Sequence, residues 1–140
     1  DTICDELVKK GVGRYSVSMT TRKKRSNEIE GISYFFVSKE EFERHIEENY
    51  FLEYAMYNGN YYGTPNEFIK ETTNNGDNVI AILEIKGAIN AKKIFSDAIT
   101  IFIMPPSFDE IKCKDKYDYV VINNTVDEAV LEIENIINNC

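Results

Sequence analysis

The chain is 140 residues long with 43% hydrophobic and 12% aromatic content, enough for one domain with a packed core, which excludes intrinsic disorder as the starting assumption. Its formal charge of -8 excludes broad electrostatic attraction to nucleic acid or to anionic membranes, both of which need a positive field. Any anionic ligand must therefore be held by a local site.

Along the chain, Thr2 to Lys10 reads as a short helix with Ile3, Leu7 and Val8 on one side, stopped by Gly11 and Gly13. Cys4 lies in it. With Cys113 and Cys140 it makes an odd set without a C-x-x-C pair or zinc spacing, read as reduced thiols of a cytosolic protein. Tyr15 to Thr20 alternates into a strand, and the basic run Arg22-Lys23-Lys24-Arg25 leads through a polar loop to a second strand at Tyr34 to Val37. Ser38 and Glu41 form a capping box, with Val37 and Phe42 as its hydrophobic staple, so a helix is expected from Lys39 to about Asn49. His45, the single histidine, sits in its charged stretch and reads as a solvated helix position.

Phe51 to Tyr57 and Asn60 to Gly63 read as a hairpin, because Asn58-Gly59 supplies the positive φ angles of a tight primed turn. Thr64, Pro65 and Glu67 combine an N-cap, a first-position proline and a capping carboxylate, predicting a second helix that ends near Asn75-Gly76. Residues 78–85 are almost continuously apolar, as expected of a central parallel strand covered on both faces. A helix over Gly87 to Phe95, a strand over Ala98 to Met104 closed by Pro105-Pro106, and a strand over Tyr119 to Ile122 follow. Thr125 and Glu128 cap a last helix that carries Val126, Ala129, Val130, Ile133, Ile136 and Ile137 at helical spacing. Strands alternating with helices predict an α/β fold, a parallel sheet flanked by helices, with a smaller mixed lobe set into it. The expected core is 1–33 with 64–140, and the lobe is 34–63, with loop residues 18–28 contributing. No apolar run reaches the length of a membrane span.

Three features suggest chemistry. Arg14, Arg22, Lys23, Lys24 and Arg25 cluster in an otherwise acidic chain, and arginines three apart can converge on one phosphate, each offering a planar fork that matches two oxygens; a solvated basic loop is the plain alternative. Tyr34 and Tyr62 can donate phenolic hydroxyls to phosphate oxygens, or serve as ordinary strand aromatics. Glu53 and Thr64 offer a double acceptor and a hydroxyl donor, which match the N1-H, N2-H and O6 edge of guanine and mismatch adenine; alone, they also fit a solvent-facing strand residue and a helix cap.

The run Ser16-Val-Ser-Met-Thr-Thr-Arg22-Lys-Lys-Arg25 with Glu28, Gly31 and Tyr34, then Phe51-Leu-Glu53-Tyr and Gly59-Asn-Tyr-Tyr62-Gly-Thr64-Pro65, closely resembles the guanylate kinase family. The same order continues through Ile85-Lys-Gly87-Ala88, Ile101 to Ser107 and Tyr117 to Asn123, so the resemblance covers nearly the whole chain. It implies a P-loop-type nucleoside monophosphate kinase that moves the γ-phosphoryl group of ATP, with Mg2+, to GMP. Arg22, Arg25, Tyr34 and Tyr62 are then expected on the GMP phosphate, and Ser18, Glu53 and Thr64 in the guanine pocket. Glu28 would orient the arginines, Glu84 would stand where the family has an aspartate at a strand end, and Thr2 would match the threonine after the ATP-binding loop.

The sequence also departs from the family pattern. The glycine-rich phosphate loop would precede Thr2, and the arginine-bearing lid would follow Lys112, where Cys113-Lys-Asp-Lys instead leads into the last strand. The expectation is that both belong to the working enzyme as mobile segments. Lys86 replaces a common glutamine and Ile82 a common acidic residue. The resemblance implies GMP and ATP as partners and a cytoplasmic location, without nucleic acid or membrane. A catalytically inactive guanylate-kinase-like module, binding GMP or a peptide, is the alternative.

Overall fold

The computed structural model describes residues 2–104 and 117–139. In chain order the elements are α1 (Thr2–Lys9), β1 (Arg14–Tyr15), β2 (Met19–Thr20), β3 (Phe35–Phe36), α2 (Lys39–Glu47), β4 (Phe51–Tyr57), β5 (Asn60–Pro65), α3 (Asn66–Asn74), β6 (Val79–Ile80), α4 (Ile85–Ile94), β7 (Ile101–Met104), β8 (Tyr119–Ile122) and α5 (Val126–Asn138). They form a mixed α/β fold divided into two units, Asp1–Arg14 with Leu83–Cys140, and Tyr15–Ile82.

In the first unit α1 packs against α5. The apolar spacing read from sequence explains the contact, since Ile3, Cys4 and Leu7 of α1 and Ala129, Val130 and Ile133 of α5 are all buried. Lys10 Nζ, just past the end of α1, reaches Glu134 Oε1 of α5 at 2.7 Å and ties the two helices. β7 and β8 pair in parallel from Ile101↔Tyr119 to Met104↔Ile122, and Val121 is fully buried. Thr125 caps α5 through Glu128 N–H at 3.2 Å, as its sequence signature predicts.

The second unit is built on a four-stranded sheet of order β3-β2-β5-β4. β2 pairs in parallel with β3 and antiparallel with β5, and the β4–β5 hairpin turns through Asn58 and Gly59 at φ +48° and +78°, the left-handed angles the turn requires. Ser38 caps α2 through Glu41 N–H at 3.1 Å. α2 lays Phe42 on the sheet, where its ring stacks on Phe51 at 4.4 Å and on Tyr61 at 4.8 Å; Met19, Phe35, Val37, Ile46 and Tyr50 complete the core.

Several expectations are corrected. The strand read over 15–20 is two short strands separated by Ser16 to Ser18, and the strand read over 34–37 is Phe35–Phe36 alone. The apolar run 78–85 yields only Val79–Ile80, with Ile82 59% exposed, because a continuous apolar strand needs ladder partners along its length and residues 81–84 have none among the described residues. α4 starts at Ile85 rather than Gly87. β7 starts at Ile101 rather than Ala98, since the Ala98 N–H bonds Phe95 O and the Thr100 N–H bonds the Asp118 carboxylate. α3 starts at Asn66, after Pro65, without a side-chain cap; Thr64 stays extended because it is paired in the ladder of β5. His45 is not solvated: its side chain is 18% exposed, stacks on Tyr50 at 4.2 Å and lies between Glu41 and Glu48. Cys4 is a buried thiol outside any disulfide, its pKa pushed up by burial. Expectations for Pro105-Pro106, for residues 113–116 and for Cys140 lie outside the described residues.

Candidate functional site

Cross-strand partners share a face of a sheet, and alternate residues along a strand do too. Thr20 pairs with Phe36 and with Tyr62, Ala55 with Tyr62, and Glu53 with Thr64. Thr20, Phe36, Tyr62, Thr64 and Glu53 therefore lie on one face, and alternation continues it to Ser18 and Tyr34. The opposite face carries Met19, Phe35, Tyr61 and Phe51, the residues that meet α2. One side of the sheet is thus spent on the core, while the other collects hydroxyls and a carboxylate.

Glu53 reaches that face through an irregularity. The ladder pairs Phe51 with Pro65 and Glu53 with Thr64, so Leu52 is an extra residue on its strand. In a regular ladder Glu53 would have the same parity as Phe51 and turn toward α2. The bulge reverses the alternation and puts Glu53 on the same face as its partner Thr64.

Beyond β2 the chain enters the basic loop, which is organised around Glu28. Its carboxylate takes Arg22 as a two-pronged pair, Nη1 to Oε1 at 3.0 Å and Nη2 to Oε2 at 2.8 Å, and also accepts the Arg25 N–H at 2.8 Å. Lys24 Nζ donates to Glu28 O at 2.9 Å and closes the loop. Arg22 further donates to Lys23 O at 3.1 Å, and its guanidinium lies 5.4 Å from the centre of the Tyr34 ring, which meets Tyr62 edge-on at 6.1 Å. The Glu28 bonds, with a bond to the Tyr62 hydroxyl, push the Arg22 guanidinium further up, while Arg22 and the Arg25 N–H hold the Glu28 carboxyl down at about 2. The Nη1/Nη2 fork of Arg22 is therefore occupied by Glu28. Arg25 has an exposed side chain.

Of the ten residues singled out from sequence, Ser18, Arg22, Arg25, Glu28, Tyr34, Glu53, Tyr62 and Thr64 all belong to the second unit. Thr2, the first residue of α1, and Glu84, the exposed N-cap residue of α4, belong to the first. Sequence reasoning missed Thr20 and Thr21, whose side chains brace the start of this loop. The available signal was a pair of hydroxyl residues at a strand end directly before an arginine. Among the described residues no group of three or more His, Cys, Asp or Glu side chains is placed to hold a metal ion.

Comparison with known proteins places this arrangement in a family. The family model for guanylate kinase matches residues 1–114. The chain is 41% identical to the guanylate kinase of Clostridium tetani over 97% of its own length and 78% of that protein. It is 39% identical to that of Oceanobacillus iheyensis over 89% of its length and 73% of that protein. The solved structure of guanylate kinase from Anaplasma phagocytophilum is similar at a TM-score of 0.73 and 31% identity, covering 99% of this chain and 79% of that one. The Clostridium tetani match extends over 162 residues against the 140 of this chain, so at least 22 residues of that relative have no counterpart here. Family model, relatives and solved structure agree, and the chain belongs to the guanylate kinase family.

Proposed function

We propose that the chain transfers the γ-phosphoryl group of ATP, taken up as its Mg2+ complex, to GMP. A phosphate oxygen of GMP attacks the γ-phosphorus, the bond to the leaving ADP oxygen breaks, and GDP and ADP form. The observation that carries the reading is the pairing of Glu53 with Thr64 on the sheet face that also holds Tyr62. A carboxylate accepting from N1-H and N2-H beside a hydroxyl donating to O6 suits guanine, and with adenine it would face a lone pair. Such a site discriminates by about 10⁴ or more.

In this reading Ser18, Glu53 and Thr64 hold the base, and Glu84 is a further residue for GMP. Arg22, Arg25, Tyr34 and Tyr62 hold the GMP phosphate, and Glu28 fixes Arg22. The two arginines are also the catalytic groups, because they offset the charge by which two anionic substrates repel each other, and phosphoryl transfer depends mainly on positioning and charge neutralisation. Thr2 serves ATP. The cation is proposed to arrive with ATP. Among the described residues no helix is long and apolar enough to cross a membrane, and the cytoplasm is the proposed location.

One observation favours a second reading, a module that binds GMP without transferring phosphate: at least 22 residues of a guanylate kinase have no counterpart here. A coupled assay of ADP formation with GMP, AMP or UMP, together with calorimetry, separates the cases. The enzyme reading expects GMP-dependent ADP, little with AMP or UMP, and a severe loss of kcat/KM for GMP in Arg22→Ala. GMP binding without ADP formation would establish the second reading, and unchanged kcat/KM in Arg22→Ala would remove Arg22 from the site.

A further inference from the structure

The two groups proposed to grip the GMP phosphate from different segments, Arg22 of the basic loop and Tyr62 of β5, are each one residue away from a single hydrogen-bonded junction. Thr20 is fully buried. Its hydroxyl donates to Tyr61 O at 2.8 Å and accepts the Arg22 N–H at 3.2 Å. Thr21 takes hold of the same peptide from its other side, accepting the Tyr61 N–H on Oγ1 at 2.9 Å and donating its own N–H to Tyr61 O at 3.2 Å. Both backbone polar groups of Tyr61 are thus fixed by the two threonines, just before Tyr62. The same Thr20 hydroxyl fixes the first backbone atom of Arg22.

We propose that the Thr20 hydroxyl is a positioning group for phosphate recognition, which locks the start of the arginine loop to the strand carrying Tyr62 so that both reach one oxyanion. The proposal rests on the reading of Arg22 and Tyr62 as phosphate-holding residues. Its chemistry needs a small side chain with one donor and one acceptor that fits a fully buried site, and serine or threonine meets that need. Valine keeps the shape of threonine and removes both bonds. Tyr61 O then still has the Thr21 N–H, whereas the Arg22 N–H loses its partner, so the disturbance falls on the arginine side.

The guanine pocket lies further along the sheet, at Glu53 and Thr64, and does not depend on this junction. Guanosine, which has the base and no phosphate, therefore distinguishes positioning from general loss of structure. In the full chain, Kd for GMP and for guanosine is measured by nuclear magnetic resonance titration for wild type, Thr20→Val, Thr20→Ser and Arg22→Ala. Thr20→Val is expected to weaken GMP about tenfold, on the order of one to two lost neutral hydrogen bonds, with guanosine changed less than about twofold and GMP affinity restored in Thr20→Ser. Equal weakening of both ligands, or undiminished GMP affinity in Thr20→Val beside a weakened Arg22→Ala, would overturn the proposal. An Arg22→Ala protein that binds GMP as wild type does would instead remove the reading beneath it. If Thr20→Val does not fold, Thr20→Ala and the folded Thr20→Ser carry the same comparison.

Discussion

Glu28 accepts three hydrogen bonds from two partners with one carboxylate, and the partners decide when it is charged. Its bonds from Arg22, followed by that from the Arg25 N–H, lower its pKa from the ordinary 4.5 to about 2, against a smaller opposing effect of burial. A carboxyl whose pKa is depressed in the folded state contributes stability above its unfolded pKa and loses that contribution as pH falls toward the folded value. The window therefore runs from about pH 4.5 down to about 2. Glu28→Gln keeps the shape and removes the charge, so its melting temperature should fall below wild type by a constant amount at neutral pH. The gap should narrow as pH drops from 4.5 to 3. Thermal unfolding followed across that range checks it, and a gap that widens on acidification would mean that the pair does not hold Arg22 through charge. The side chains are only 16% and 14% exposed, so salt should screen this pair less than the surface pairs of α2.

At the scale of elements, the β4–β5 hairpin carries one face to the core and the other to the site, and Gly63 stands between Tyr62 and Thr64 on the core side. A Cβ there would meet Phe51 Cδ1 at 2.7 Å, Phe51 Cε1 at 2.9 Å and Phe42 Cζ at 3.0 Å. These are rings already stacked on each other, so they cannot both give way without opening the core. Gly63→Ala should destabilise the protein by about 1–3 kcal/mol and raise the KM for GMP, because both neighbours belong to the proposed site. Urea unfolding and steady-state kinetics measure the two effects, and a stable variant with normal KM would show that the strand has slack.

The same hairpin shows what a sequence reveals. Asn58-Gly59 and Ser38 with Glu41 are legible because the demand on φ or on an N–H arises within four residues. The need for glycine at 63 comes from rings 12 and 21 positions away, and the extra residue Leu52 is defined only by its partner strand. Thr64 illustrates competition: it has the chemistry of an N-cap, but pairing with Glu53 keeps it extended. The run 78–85 has the composition of a buried strand, and composition alone does not supply a neighbouring strand.

Across the whole molecule, the ordered motifs indicate the family and name the eight residues that the second unit gathers, because those motifs are strung along β2, the basic loop and the hairpin in the order in which they are used. The boundary of that unit, Tyr15–Ile82, was not legible, since it depends on which distant segments pack together. It carries a thermodynamic consequence. A ligand at 100 times its Kd stabilises the state it binds by about 2.7 kcal/mol, roughly a hundredfold in the opening equilibrium. If GMP is held by Ser18, Arg22, Glu53, Tyr62 and Thr64, amide hydrogen exchange should slow by up to that factor in β2, β3, β4 and β5. The amides of α1 and α5, whose buried contacts are with each other, should change far less. Exchange measured by mass spectrometry with and without GMP tests the placement of the whole site at once. Protection gained mainly in α1 and α5 would put the nucleotide monophosphate in the first unit, and the sheet face with its paired glutamate and threonine would have to serve another purpose.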